Sequence, residues 1–117
     1  MDSTDYLVWG IALHLIADWV FQNDWIASNK GSLRHPAAWV HGAIHALAML
    51  LVFPWWAALI IGISHTLIDT RVPARLWQQF YGQTTDGPFA LPVAIWLDQV
   101  CHITILALFA WLLAGAR

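Results

Sequence analysis

The chain has 117 residues, 60% of them apolar, with a mean hydropathy of +0.61 and a formal net charge of -2. That apolar content excludes an ordinary soluble domain of this size and points to a membrane, while 10% charged residues with no net positive balance exclude a basic surface for nucleic acid. The single cysteine, Cys101, excludes an internal disulfide and reads as a small core residue in the run "WLDQVCHITI".

The N-terminal "MDSTDY" lacks a basic region, so the first apolar run is expected to be retained rather than cleaved as a signal peptide. Four apolar segments follow, at about 5–27, 36–53, 55–70 and 89–114. A span requires about 17 to 25 residues, so the outer two are long enough and the middle two sit at the short limit. The expectation is one all-α domain over 1–117, a polytopic bundle of four transmembrane helices. Pro36 and Pro54 suit first helical positions, Pro73 stops the third helix, and "DGPFALP" is a loop feeding the fourth. Between helices 3 and 4, "ARLWQQFY" sets Leu76, Trp77, Phe80 and Tyr81 against Arg75, Gln78 and Gln79, the pattern of a short interfacial helix.

Lys30 and Arg34 follow helix 1, Arg71 and Arg75 follow helix 3, and "FPWW" after helix 2 has no positive charge. The positive-inside rule then puts both basic loops in the cytoplasm and both termini outside, as expected of a multi-pass protein of the bacterial inner membrane. Trp25 and Trp77 near the basic loops, and Trp9, Trp55, Trp56 and Trp111 toward the other side, fit two interfacial belts.

Every segment carries one pair of donor residues at spacing four. These are His14 and Asp18, His41 and His45, His65 and Asp69, and Asp98 and His102. That spacing returns a side chain to the same helical face one turn along, so all four faces can converge. Counted from the proposed cytoplasmic ends, the pairs scatter over only about 12 Å at about 1.5 Å per residue. An ionisable group deep in a span costs about 2.5 to 3.5 kcal/mol, so eight of them require partners.

A bound metal is the strongest partner, and five His with three Asp suit zinc, iron or manganese. One ion with a surrounding His–Asp hydrogen-bond set, or two ions with a bridging carboxylate, both satisfy the donor count. The candidate ligands are His14, Asp18, His41, His45, His65, Asp69, Asp98 and His102. Asp69 and Asp98 are the candidate catalytic carboxylates, as bridging ligand or general base, and Asp18 is a ligand or orients a histidine. Gln22, Gln99, Lys30 and Arg71 are candidates for supporting or substrate contacts, and Arg71 with Arg75 has the charge to hold a phosphate. Trp19, Trp39 and Trp96 read as packing or lipid-facing bulk.

The blocks "HLIADWVFQNDWIASNK", "HGAIHAL", "HTLIDTR" and "LDQVCH" resemble an uncharacterised family of short bacterial and phage-borne membrane proteins, a domain of unknown function, over nearly the whole chain. More distantly the sequence is similar to the membrane-bound metal-dependent hydrolases of the inner membrane. That likeness implies hydrolysis of a substrate reached from the membrane, with His14, Asp18, His65 and Asp69 as the closest matches. The chain is shorter than those hydrolases and has no Arg-Gly-x2-His-Ser block.

The expected activity is therefore metal-dependent hydrolysis of a lipid-linked or membrane-associated small molecule, since a metal lowers the pKa of bound water toward neutrality. The expected partners are the lipid bilayer, that substrate and a further copy of the chain. Two alternatives stand beside it. The same donors suit a metal-ion or proton-coupled transporter, and two facing His suit haem, which leaves the aspartates without a role.

Overall fold

Six helices form where four apolar segments are expected, because the first segment breaks in two and the amphipathic stretch becomes a helix of its own. The computed structural model describes residues 1–115. Helix α1 (Ser3–Trp19) is opened by a capping box in which Asp2 and Asp5 each accept the other's backbone N–H. It stops at Trp19, and Asn23 accepts the N–H of Ile26 to start the short α2 (Asp24–Asn29) in a new direction. His35 caps α3 (Pro36–Met49) through Nδ1, with Pro36 in the first turn. Pro54 precedes α4 (Trp55–Asp69). Arg71 then takes a left-handed conformation, φ 64°, which turns the chain into α5 (Val72–Tyr81). Gly82, also left-handed, ends α5, and α6 (Ala90–Gly115) completes the fold.

The four longer helices form a ring in which α1 packs on α3, α3 on α4, α4 on α6 and α6 on α1, within an envelope of 46 × 31 × 21 Å. Their directions alternate, so each gives one half to each end of the bundle. One end is apolar, where Met49, Phe53, Ala57, Ala58, Ile61, Leu106 and Phe109 bury one another. Tyr6 stacks on Phe53 with ring centroids 5.4 Å apart. The other end holds the histidines.

The α3–α4 pair is the closest in the ring because Gly42 and Gly62 face each other. A Cβ on Gly62 would lie 2.7 Å from Ala46 Cβ and 3.0 Å from the Gly42 carbonyl oxygen, and one on Gly42 would collide with Thr66 Oγ1. That backbone approach brings the His41–His45 face of α3 against His65 of α4.

The expectation of four transmembrane helices fails. Among the described residues, α6 alone is long and apolar enough to cross a membrane. At about 1.5 Å per residue, the 17, 14 and 15 residues of α1, α3 and α4 reach about 26, 21 and 22 Å, short of a hydrocarbon core of about 30 Å. The reason is local. The stretch 20–23 leaves helical geometry before the Asn23 cap, α3 runs out ahead of Pro54, and Arg71 turns the chain after α4. The orientation with both termini outside rested on those four spans and loses its basis. The short helix between the third and fourth segments does form, as α5.

Candidate metal centre

Each donor pair lies on the inward face of its helix, and the four faces meet in one layer. His14, Asp18, His41, His45, His65, Asp69 and His102 are all buried, none more than 5% exposed. Each of these five histidines directs Nε2 toward the middle. Asp18 Oδ1 is 3.0 Å from His41 Nε2, 3.1 Å from His45 Nε2 and 3.5 Å from His65 Nε2. Asp69 reaches the same layer from α4, with Oδ2 2.9 Å from His65 Nε2 and 3.4 Å from His41 Nε2, and Oδ1 3.1 Å from His102 Nε2. His41 and His65 face each other Nε2 to Nε2 at 3.0 Å.

Two donor groups result, Asp18 with His41, His45 and His65, and His65 with Asp69 and His102, each with ligand atoms within 4.8 Å of one another. His65 belongs to both. Ligand atoms around a tetrahedral ion with bonds of about 2.0 to 2.1 Å stand about 3.3 Å apart. Four of the separations in the first group, from Asp18 Oδ1 to the three histidines and between His41 and His65, run from 3.0 to 3.5 Å and bracket that value. The residues therefore fit a metal ion.

Electrostatics points the same way. Burial pushes the His14 imidazole below its ordinary pKa despite Asp18 beside it, and pushes His45 down to about 3. Burial alone would raise Asp18 and Asp69. The hydrogen bonds and charge of the surrounding imidazoles outweigh it and hold both carboxyls below the usual carboxylate range. A neutral His45 imidazole beside an ionised Asp18 carboxylate is the protonation state that metal binding requires at that pair. Two buried carboxylates then face one nearby ammonium, Lys30 Nζ, 3.8 Å from Asp69 Oδ2. Asp69 Oδ2 also lacks an aligned hydrogen-bond donor although His65 lies 2.9 Å away. A divalent cation answers both the excess charge and the unaligned oxygen.

The other candidates take outer positions. His14 donates through Nε2 to Gln99 Oε1 at 3.0 Å and lies 3.4 Å from Asp18 Oδ2, outside both donor groups. Asp98 is also outside them, half-buried, with Oδ2 3.5 Å from His102 Nε2. It faces a cavity of about 230 Å³ that it lines together with Asp18, Gln22, Lys30, Arg71 and Gln99. The supporting candidates Gln22, Gln99, Lys30 and Arg71 are thus gathered at one mouth. Lys30 gets there because α1 breaks, which folds α2 back over α3.

The family described as "Protein of unknown function (DUF3307)" matches residues 7–116. The chain belongs to that family. The DUF3307 match takes in all four helices of the ring and every residue of the His–Asp layer. No curated protein and no solved structure matches the chain.

Sequence reasoning passed over Gln78 as part of the polar side of α5. It is buried and lines a second cavity, between α5 and α6, with Arg71, Arg75 and Asp98. Its spacing from Arg71 and Arg75, seven and three residues, was the available signal.

Proposed function

We propose that the protein is a membrane-resident, metal-dependent hydrolase acting on a lipid-linked or membrane-associated substrate. The observation that carries this reading is the convergence of four buried histidine Nε2 atoms and two buried carboxylates beside a polar cavity that opens at Asp98. Residence at a membrane draws on α6 and on the large apolar side chains left exposed around the fold, among them Trp19, Leu51, Trp55, Phe80, Trp96 and Trp111.

Asp18, His41, His45 and His65 would hold one ion, and Asp69 and His102 a second or a stabilising surround for the first. Zinc matches this N and O donor set best, with iron and manganese next. Held there, the ion would supply Lewis acidity, lowering the pKa of a water molecule toward neutrality and polarising an ester or phosphoester oxygen. Asp98, which faces the cavity, accepts the proton released as the water oxygen bonds to the carbonyl carbon or phosphorus. It returns that proton to the leaving oxygen as the ester bond breaks. Gln99 orients His14, and the Lys30 ammonium balances Asp69.

The test is metal analysis by mass spectrometry on detergent-purified protein after long dialysis, beside a His41→Ala/His45→Ala variant and an Asp98→Asn variant. One or two equivalents of transition metal in the parent, lost in the double variant and kept in Asp98→Asn with hydrolysis abolished, is the expected result. A folded parent that holds no metal sinks the reading, and metal that exchanges freely during dialysis would fit a transport site instead.

A further inference from the structure

Two more concavities adjoin the polar mouth of the metal centre, and the three share walls in sequence. The first, about 350 Å³, lies between α5 and α6 and is lined by Arg71, Arg75, Gln78 and Asp98. The second is the 230 Å³ cavity at the His–Asp layer, which shares Arg71 and Asp98 with the first. The third, about 320 Å³, is an apolar groove between α1 and α6 formed by Ile11, Leu15, Trp19, Ile95 and Ile103, and it shares Trp19, Ile95 and Gln99 with the second. The order is cationic pocket, metal centre, apolar groove.

The cationic pocket is built for an anion. Arg71 and Arg75 bring two of the chain's five Lys and Arg residues to it, and neither makes an ion pair with any described residue. Gln78, 6% exposed, presents its side chain there without a hydrogen-bond partner among the described residues. Residues 75 and 78 share one face of α5, with Arg71 just ahead of its first turn, while Leu76, Trp77, Phe80 and Tyr81 are exposed on the helix. Arg71 holds this position in a left-handed conformation that it alone adopts among described non-glycine residues. Glycine would adopt it freely, so the arginine holds it at a backbone cost. Two guanidiniums and an amide supply donors in the forked geometry that suits a phosphate.

We propose that the ligand of this site is an amphiphile with a phosphate-bearing headgroup. Its phosphate is held by Arg71, Arg75 and Gln78, and its alkyl chain lies in the groove between α1 and α6. The linkage between them crosses the cavity at Asp98. As a statement about substrate this rests on the hydrolase reading; as a statement about binding it stands apart from it.

The test measures binding to the purified, metal-analysed protein by tryptophan fluorescence, with four probes: inorganic phosphate, glycerol 3-phosphate, a single-chain acylglycerol phosphate, and the corresponding monoacylglycerol, which has the chain and no phosphate. The acylglycerol phosphate is expected to bind at least about tenfold more tightly than the other three. Arg75→Gln and Arg71→Gly should each weaken it by about tenfold with metal content unchanged. Arg71→Gly relieves the backbone and so should remain folded. Equal affinity for the monoacylglycerol overturns the phosphate assignment. Equal affinity for glycerol 3-phosphate overturns the chain assignment and leaves a soluble phosphate ester as the ligand. Unchanged binding in both arginine variants overturns the site. Selective binding by a parent that carries no metal would support the ligand class while removing the hydrolase reading.

Discussion

At one end of the bundle Met49, Phe53, Ile61, Leu106 and Phe109 bury apolar surface against one another; at the other end the same four helices bury five imidazoles and two carboxylates. The apolar end gains stability in proportion to the area removed from water, and small shifts of one side chain leave the others with most of their contacts. The polar end has no such tolerance, since each buried charge is stabilised only while its particular partners stay within reach. The difference teaches a division of labour. The apolar end supplies the folding free energy, and the His–Asp end draws on it to hold a layer of donors that would not assemble alone.

The largest effect should come from breaking both ends at once. Gly62→Leu forces α4 away from Ala46 and the Gly42 carbonyl, and should cost more than about 3 kcal/mol, with metal and melting transition lost together. Chemical denaturation with parallel metal analysis reads this out; a variant that keeps its metal would show that the α3–α4 approach does not set the site. Leu106→Ala confines the damage to the apolar end. Leu106 is fully buried in that core, and its truncation should lower stability by about 2 to 5 kcal/mol while metal stoichiometry stays that of the parent.

Asp18→Asn confines it to the other end. The amide still accepts a hydrogen bond but contributes no charge, so the metal-free protein should melt below the parent, having lost the imidazole contacts that favour the ionised carboxylate. The metal-dependent rise, about 2.7 kcal/mol when the ion is at 100 times its dissociation constant, should disappear. A full metal-dependent rise in the variant would remove Asp18 from the ligand set. The smallest effect concerns the mouth. Asn23→Ala removes the cap of α2 and should cost about 1 kcal/mol. It should also make the Lys30 amine more reactive toward acylation, because α2 holds it near Asp69; mass spectrometry after brief labelling detects the change.

Much of the site could be read from the spacing of residues. His14 with Asp18, His41 with His45, and His65 with Asp69 repeat an interval that puts both members on one face whatever the helix packs against. The structure brings all six into the layer together with His102. Asp98 obeys the same interval yet stands at the cavity rim, because α6 is turned so that His102 points inward. Nothing in the spacing records that rotation. Span number was misread for a related reason. Hydropathy is continuous through 5–27, while the break at 20–23 depends on Asn23 capping a new helix, a choice between two local hydrogen-bond arrangements that apolar content does not register.

The sequence by itself determined the all-helical class, the starts of three helices through Asp2, His35–Pro36 and Pro54, and the faces on which the donors sit. Those are properties of local backbone chemistry and helical period, which act over a few residues. Only the tertiary structure decided that α2 folds back to bring Lys30 beside Asp69, that Gly42 meets Gly62, that Asp98 is left at the mouth, and that a cationic pocket, a donor layer and an apolar groove adjoin in that order. These depend on how four helices rotate and approach one another, and such contacts join residues up to 85 positions apart, as in the His14–Gln99 bond.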